Sequence, residues 1–412
     1  MTKKIQNIRD NYNPLLFDIV CGVVTALFFS AFLYLEHFGI TLKFINTLFG
    51  VFAFALLLYI PKRAALIAGF FIGLLWFYWI GYSFKYNGVG YMESIITLLF
   101  ALVYMLFFGV LALTNSALIR ALMLFALSFI EPFDFNWLQM ELLFIDSYFG
   151  VQKYQFALLL AALALPSYIK KPYTLLPLLL LIFSINFAPE AQKDAPLKIK
   201  LVATDISQDK KWQRESLSPT IELIFSEIRE AKESGYDVVI FPESVFPFFM
   251  NKAPAIVDEL KKSSYDIAIV AGSLLSEDGM HYNVTYIFED GKFEVAKKLV
   301  LVPFGEYIPL PKFAQDFINN LFFGGASDFK TATEPTDFTI KGVKFRNAIC
   351  YEATCQEIYE GEVDFVIAIS NNAWFAPSIE PTLQKLLMRY YARKNGATIY
   401  HSANYRGTGI VQ

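Results

Sequence analysis

The chain has 412 residues, of which 55% are hydrophobic and only 18% are charged, and its formal net charge is −3. This composition lies outside the range of soluble domains and indicates a membrane protein that carries a globular part. The acidic balance gives no reason to expect nucleic acid as a partner. Three cysteines and three histidines, with no CxxC or His/Cys cluster, suggest neither a disulfide framework nor a metal site, and we expect no cofactor.

Residues 1–190 are predicted to form a membrane domain of about seven transmembrane helices. One bilayer crossing takes about 20 apolar residues. The fifth apolar segment is the weakest, because it is short and carries Arg120 near one end. The polar N-terminus is not followed by a clear cleavage site, so we interpret the first segment as a retained span. The predicted spans are residues 15–34, 44–60, 64–83, 94–113, 117–130, 154–168 and 173–188.

The distribution of positive charge predicts the orientation of these spans. Lys and Arg precede the first span and recur in every second loop, although Lys43, Lys85 and Lys153 occur in the alternate loops. The positive-inside rule therefore places the N-terminus in the cytoplasm. Seven spans then put the second half of the chain on the outer side, and an even number would reverse this. Residues 131–150 are aromatic and amphipathic, which predicts either a segment along the outer interface or an aromatic belt.

The second half follows a polar linker at residues 189–198 and alternates between strand and helix patterns, which is typical of an α/β domain. The predicted strands are Ile199–Thr204, Val238–Phe241, Ile267–Gly272, Val284–Glu289, Phe293–Leu299, Phe345–Cys350, Phe365–Ser370 and Thr398–His401. The predicted helices are Pro219–Ser234, Ala255–Lys262, Pro311–Leu321, Ala353–Tyr359 and Pro381–Lys394.

Cys350 stands where a predicted strand changes into a predicted helix. A cysteine at such an elbow lies near the positive end of the helix dipole, which favours the thiolate. An isolated cysteine is more often a buried structural residue, so the assignment depends on its companions. Cys355 is a weaker candidate nucleophile because it would lie inside the predicted helix.

Two charged residues at strand ends supply those companions. Glu243 follows the apolar run Val238–Ile240, and Lys298 precedes an apolar strand that breaks into a loop. Each alone could be a solvated loop charge. Together with Cys350 they form an acyl-transfer set, in which the Glu takes the thiol proton, the Cys attacks a carbonyl and the Lys stabilises the oxyanion. The histidines offer no suggestive context for a Cys-His dyad.

The sequences FPES, KLVLVPFGEYIP and ICYE around these residues resemble the nitrilase, or carbon–nitrogen hydrolase, superfamily. The forms VPFGEYIP and CYE resemble more narrowly its membrane-bound branch, the apolipoprotein N-acyltransferases. The likeness extends from about Leu197 to the last residue, and the membrane half in front fits it. It implies that residues 195–412 form a nitrilase-like α-β-β-α sandwich on the periplasmic side of a multi-pass protein of the bacterial inner (cytoplasmic) membrane.

The resemblance also implies a function. Glu243, Lys298 and Cys350 would be the catalytic triad, and Cys350 would carry a thioester in a ping-pong reaction. The acyl donor would be a phospholipid of the surrounding membrane lipids. The acceptor would be the α-amino group of the diacylglyceryl-cysteine of an apolipoprotein.

Six further residues match segments that border the site in this family. Glu306 is expected to orient Lys298, and Glu352 is expected to order the pocket. Tyr351 is expected to offer a backbone N–H to the oxyanion. Trp212 lies either at the lipid-facing edge of the pocket or in the core. Asn283 and Trp374 lie in the remaining bordering segments.

The sequence departs from the family pattern in three places. Val300 stands where the family often has His or Arg, and Asn372 where it usually has Asp. The family normally continues with another strand and a last membrane span, whereas this sequence ends at Gln412.

Two other readings of the second half stay open. One is a membrane-tethered amidase or nitrilase-type hydrolase with water as the acceptor. The other is a non-catalytic lipid-binding or transport scaffold, although polar residues inside the predicted spans are scarce. Phe246–Met250 and Leu321–Gly325 are apolar runs beside Pro or Gly, and they form either mobile lipid-facing arms or part of the core.

Overall fold

The computed structural model describes residues 13–187, 193–303, 305–307 and 329–412, and these residues form two compact units. Among them, the first unit comprises residues 13–85, 90–132 and 137–187. The second unit comprises the described residues from 193 onwards together with two short segments, Tyr86–Val89 and Phe133–Asn136. The predicted helix at Pro311–Leu321 and the apolar run Leu321–Gly325 lie outside the described residues.

The first unit is helical at each of the seven positions where the sequence predicts a span. Within the described part of the chain, three segments are long and apolar enough to cross a membrane, namely Pro14–His37, Lys62–Tyr86 and Gly90–Leu113. Lys43–Tyr59, Ala117–Leu127 and Tyr173–Ser184 are apolar but shorter. The seven-span topology therefore stays a prediction. The α-helices are α1 (Pro14–His37), α2 (Lys43–Tyr59), α3 (Lys62–Phe77), α4 (Glu93–Gly109), α5 (Ala117–Leu127), α6 (Lys153–Ala164) and α7 (Leu180–Ser184).

Helices α3 and α4 pack closely because small residues face the contact. A Cβ atom at Gly69 would lie 2.5 Å from the backbone oxygen of Tyr104, and one at Gly73 would lie 2.8 Å from the Cβ of the same residue. Small residues are the usual means by which membrane helices approach each other, since lipid offers no hydrophobic drive for helix association.

Arg120 is buried in the first unit, where it satisfies the ends of two helical segments. The last carbonyls of a helix lack partners within the helix and attract a cation. The feature that weakens the fifth span in the sequence is therefore a structural cap. The Arg120 guanidinium donates to the backbone oxygens of Leu57, Leu58 and Ile60, at the end of α2, and of Leu111 and Thr114, which follow α4.

The centre of the aromatic stretch at residues 131–150 is buried, not interfacial. Trp137, Met140 and Phe144 are each at most 3% exposed, and the Trp137 ring packs on that of Trp79 at 5.2 Å. The prediction that this stretch lies along the interface is therefore wrong for its central residues. Aromatic side chains form a core here because they bury large apolar areas against other helices.

The second unit contains two five-stranded sheets. In each sheet three adjacent strands run parallel to one another, and the other two neighbouring pairs of strands are antiparallel. The first sheet has the order β1-β2-β3-β4-β5, made of Ile199–Leu201, Val238–Ile240, Ala268–Glu277, Met280–Glu289 and Lys292–Lys297. The second has the order β10-β9-β8-β7-β6, in which β6 to β10 are Asp337–Ile340, Val343–Ile349, Phe365–Asn371, Thr398–Asn404 and Gly409–Val411.

Alternate residues of the strands face different layers of this unit. Val238 and Ile240 of β2 pack against the second sheet, where they share a core with Ile349 and Ile367. Val239 faces the other way, toward the helical layer. Successive residues of a strand point to opposite faces, so one strand serves both cores. The helices of this unit are α8 (Gln208–Lys211), α9 (Leu217–Glu233), α10 (Pro254–Ser263) and α11 (Glu380–Asn395).

The apolar run Phe246–Met250 belongs to the core. Phe246 and Met250 are fully buried in the cluster beneath α9 and α10, and Phe248 packs against it. The prediction of a mobile lipid-facing arm at this run is wrong, and the core alternative is confirmed. Among the described residues, the strands that the sequence analysis missed are β6 and β10, which have four and three residues and lie at the edges of the second sheet.

We expect Arg120→Met to lower the unfolding temperature of the purified protein in detergent by several degrees. A hydrogen bond to a charged group contributes about 1.5–3 kcal/mol, and five backbone carbonyls lose their donor together. Arg63→Met is the matched control, since Arg63 is exposed on α3. Equal unfolding temperatures for the two variants would contradict the capping role.

Candidate active site

Three strand ends bring together the three residues of the predicted triad. Glu243 follows β2, Lys298 follows β5 directly, and Cys350 follows β7 directly. The Nζ of Lys298 lies 4.0 Å from Oε1 of Glu243. The charges of both residues act on the buried thiol of Cys350. The cluster that the sequence predicts therefore exists, although its catalytic role stays a prediction.

The Glu243 carboxylate is fixed by two donors. Asn283 Nδ2 donates to its Oε1 at 2.7 Å, and the backbone N–H of Asn371 donates to its Oε2 at 2.9 Å. Asn283, a predicted bordering residue, is therefore a direct partner of the triad. The buried side chain of Lys211 donates to the Glu243 backbone oxygen at 3.0 Å. These bonds hold both ends of the glutamate in one conformation.

The turn that carries Glu243 depends on a glycine of the neighbouring strand. A Cβ atom at Gly272 would lie 2.5 Å from the Ser244 nitrogen and 2.6 Å from Glu243 Cα. Ser244 has a φ of 49°, so the chain reverses sharply right after the glutamate. Any side chain at Gly272 would displace this turn.

Lys298 is held as a cation by two carboxylates. Its Nζ donates to both oxygens of Glu306, at 2.8 and 2.7 Å, and Glu306 Oε2 also accepts the Val302 N–H at 2.8 Å. Burial lowers the pKa of Lys298, but Glu306 and Glu243 outweigh this effect and hold it above its usual value. Glu306 thus lies where a residue that orients Lys298 must lie.

Cys350 itself has a strained backbone. Its φ is 58°, a left-handed conformation that costs a non-glycine residue about 1–3 kcal/mol. The residues that follow form two short 3₁₀ helices, Cys350–Thr354 and Gln356–Tyr359, so the predicted helix at Ala353–Tyr359 is present in 3₁₀ form and interrupted at Cys355.

The thiol of Cys350 is protonated at rest. Burial and the Glu243 carboxylate raise its pKa well above the usual value, although Lys298 opposes them. The expectation that a helix dipole favours the thiolate is therefore wrong, since no long helix begins here and burial dominates. A thiol of this kind needs a neighbouring base before it can act as a nucleophile.

Glu352 ties the segment after Lys298 to the strand before Cys350. Its Oε2 accepts the N–H groups of Leu299 and Val300 at 2.7 and 3.1 Å, and its Oε1 accepts that of Ile349 at 2.6 Å. Burial raises the pKa of Glu352 to about 7, against the effects of Lys298 and the three backbone donors. Val300 contributes only its backbone here, which accounts for an apolar residue at that position.

The remaining predicted residues have their described contacts outside the triad. Tyr351 is buried and contacts the segment Phe133–Asn136. Trp212 is 46% exposed, so the alternative that it belongs to the core is wrong. Trp374 packs edge-to-face on Tyr86 at 5.6 Å. Among the described residues, neither indole donates to Glu243, Lys298 or Cys350.

Sequence reasoning missed Gln384, a polar residue beside the Cys350 sulfur. Gln384 Nε2 lies 3.7 Å from Cys350 Sγ, and its Oε1 accepts from Asn372 Nδ2 at 3.0 Å. The side-chain amide of Asn372 therefore acts as an uncharged hydrogen-bond donor at the position where the family usually has Asp. Gln384 lies on the buried face of α11, where a single glutamine gives no signal in the sequence.

Two further buried ionisable residues were assigned no role in the sequence analysis. Burial lowers the pKa of Lys211 to about 8, although Glu243 and Cys350 oppose this effect. Burial raises the pKa of Glu380 well above its usual value, and Glu243 adds to the rise. Lys211 could have been found, because it stands next to Trp212 in a segment that resembles the family. Within the described ranges, no group of three His, Cys, Asp or Glu residues could hold a metal ion.

The fold and this site define a class of protein: a carbon–nitrogen hydrolase-type domain with a membrane domain before it. Residues 203–408 match the family described as carbon-nitrogen hydrolase, and residues 16–187 match the apolipoprotein N-acyltransferase integral membrane domain. The predicted fold class is thereby confirmed.

Relatives define the family more narrowly. The apolipoprotein N-acyltransferase of Wolinella succinogenes is 42% identical over 391 residues, which are 94% of each chain. That of Helicobacter hepaticus is 36% identical over 375 residues, 89% of this chain and 93% of the other. The chain therefore belongs to the apolipoprotein N-acyltransferase family. It is a membrane-bound acyltransferase, and the alternative of a non-catalytic scaffold is wrong.

A solved structure shows a looser likeness. A CN-hydrolase superfamily protein from Xanthomonas campestris, with an arsenic adduct in its active site, is 15% identical. The match covers 50% of this chain and 76% of the other, with a TM-score of 0.39. The assignment to the family rests on the sequence matches alone.

We expect Gly272→Ala to reduce acyl transfer by up to about a hundredfold, because the new methyl group must displace the turn that carries Glu243. Gly90→Ala is the control, since a Cβ atom there meets its nearest neighbour at 3.5 Å. The initial rates of acyl transfer by the two purified variants are compared. Equal rates would contradict the requirement for glycine beside the Glu243 turn.

Alkylation of Cys350 by iodoacetamide is expected to accelerate by about tenfold per pH unit between about pH 6 and 9. A thiol whose pKa lies above this range gains thiolate in that proportion. The rate constant is measured by mass spectrometry, with Cys350→Ala as the background for Cys21 and Cys355. A plateau below pH 7 would indicate a preformed thiolate and contradict the protonated resting state.

Proposed function

We propose that this protein acylates the α-amino group of the diacylglyceryl-cysteine of apolipoproteins, with an acyl chain taken from a phospholipid through a Cys350 thioester. The observation that carries the proposal is the convergence of Glu243 and Lys298 on a protonated cysteine. The names of the relatives support the lipoprotein acceptor. Each member of the triad has a role that its surroundings suit.

In the first half-reaction Glu243 removes the proton from the Cys350 thiol, and the sulfur attacks the sn-1 ester carbonyl of a phospholipid. The oxyanion forms beside the Lys298 ammonium, which Glu306 keeps in place. The carbon–oxygen bond then breaks, Glu243 returns the proton to the leaving oxygen, and a lysophospholipid departs. Cys350 retains the acyl chain as a thioester.

In the second half-reaction the uncharged α-amino group of the acceptor attacks the thioester carbonyl. Lys298 again stabilises the oxyanion, and Glu243 takes a proton from the attacking nitrogen. The carbon–sulfur bond breaks, an amide forms, and the thiolate recovers its proton from Glu243. This is a ping-pong scheme, in which water must be kept from the thioester between the two halves.

Both substrates carry long acyl chains, which accounts for a catalytic domain that is joined to a membrane domain. Exposing such a chain to water costs about 0.8 kcal/mol per CH₂ group. A site that opens at a lipid surface avoids this cost. We further propose that the chain lies in the bacterial inner membrane with its catalytic domain in the periplasm, as the positive-inside rule predicts.

Incubation of the purified protein with phospholipid alone should add the mass of one acyl chain, because the first half-reaction needs no acceptor. Cys350→Ala should abolish the adduct, and Cys355→Ala should retain it, since Cys355 is the buried neighbour that lies in the same segment. Intact-protein and peptide mass spectrometry measure the adduct and its position.

An adduct that survives in Cys350→Ala would reject the assignment of the nucleophile. Addition of a diacylglyceryl-cysteine peptide then distinguishes transfer from hydrolysis. Loss of the adduct with formation of an N-acyl peptide supports the acyltransferase reaction, whereas loss with release of free fatty acid alone supports the hydrolase with water as acceptor.

A further inference from the structure

The four residues Phe133–Asn136 come from the N-terminal half of the sequence but belong to the same compact unit as the active site. Phe133 and Asp134 have φ values of 59° and 58°, so the backbone here is strained. Phe135 and Asn136 are each only 5% exposed. The strained residues Phe133 and Asp134 are exposed, so their conformation persists only because the buried pair that follows them anchors the segment.

The segment binds both ends of the turn that begins at Cys350. At one end the Tyr351 hydroxyl accepts from the Asn136 backbone N–H and donates to the Asp134 backbone oxygen, both at 3.2 Å. The rings of Phe135 and Tyr351 lie nearly parallel, with centroids 6.0 Å apart. The hydroxyl thus uses its donor and its acceptor capacity on one segment.

At the other end of the turn, Asn136 Nδ2 donates to the Thr354 backbone oxygen at 2.6 Å. Thr354 in turn donates from its hydroxyl to the Tyr351 backbone oxygen at 2.6 Å, which closes the turn on itself. Asn136 therefore contacts Tyr351 through its backbone and Thr354 through its side chain. The two contacts fix the residues on the far side of Cys350 from β7.

This arrangement bears on the strain at Cys350. The left-handed conformation of a non-glycine residue requires constraints on both sides. Before Cys350, the Glu352 carboxylate holds the Ile349 N–H at 2.6 Å. After Cys350, the contacts of Tyr351 and Thr354 with Asn136 supply the second constraint. Without it, the turn could relax and the sulfur would move away from Glu243.

We propose that Phe133–Asn136 is a clamp on the nucleophile turn, with Asn136 as a positioning residue that keeps the Cys350 sulfur in its attacking orientation. The proposal rests on the proposed role of Cys350 as the nucleophile. The match to the carbon-nitrogen hydrolase family begins at residue 203, so the clamp is supplied by a part of the chain outside that match. The hydrolase-like residues are then insufficient by themselves to set the geometry of their own nucleophile.

The test compares Asn136→Asp with Asn251→Asp in the full-length protein. Both asparagines donate from Nδ2 to a backbone oxygen at 2.6 Å, to Thr354 and to Ser276 respectively. The Asp side chain keeps the shape of Asn but, when ionised, cannot donate. Single-turnover acylation by phospholipid gives two readouts for each variant, the rate constant and the final fraction of protein that carries the adduct.

For Asn136→Asp we expect an acylation rate constant about tenfold below that of the wild type, the change that one hydrogen bond of ordinary strength produces. The final fraction should equal that of the wild type, because the molecules are folded and only their nucleophile is misplaced. Asn251→Asp should match the wild type in both readouts. Asn136→Ala should reproduce the slow rate without introducing a charge.

A merely structural role for Asn136 would give the opposite pattern, a lower final fraction with an unchanged rate constant, and it would overturn the proposal. A wild-type rate constant in Asn136→Asp would overturn it as well. If the wild-type protein forms no adduct, the proposed function fails instead. The clamp is then judged by iodoacetamide, whose rate constant at Cys350 must differ between Asn136→Asp and Asn251→Asp.

Discussion

The buried ammonium of Lys298 is the constraint on which the site depends. A cation that is only 1% exposed requires compensating charge, and Glu306 and Glu243 provide it at 2.7 and 4.0 Å. Burial, to which the Glu243 carboxylate adds, raises the pKa of the Cys350 thiol and outweighs the opposing effect of Lys298. Glu243, the proposed base, is thus one of the two carboxylates that stabilise the buried cation.

A second requirement is that three separate strand ends keep their relative positions. Glu352 meets part of it, because one carboxylate accepts backbone donors from both sides of the site. Gly272 meets another part by letting the Glu243 turn approach β3 closely. Both contacts involve the backbone, which either donates to a carboxylate or packs against a glycine. They hold the three candidate catalytic residues more rigidly than contacts between long side chains would.

The motifs around Glu243, Lys298 and Cys350 were recognisable because each of these reactive residue types follows an apolar strand pattern. Their clustering and most of the eight predicted strands agree with the structure. The protonation of Cys350 was not predictable, since it depends on burial and on carboxylates remote in sequence. Gln384 was missed for the same reason: its proximity to the sulfur arises only when α11 packs on the second sheet.

By itself the sequence determined the membrane character of the first half, the α/β class of the second half and the choice of the three candidate catalytic residues. These follow from composition, periodicity and local motifs, which are properties of short stretches of chain. Only the tertiary structure decided that Phe246–Met250 lies in the core, that Arg120 caps two helical segments and that Asn136 contacts the nucleophile turn. Each of these is a contact between residues far apart in the chain, and its energy depends on burial and geometry that no local pattern encodes.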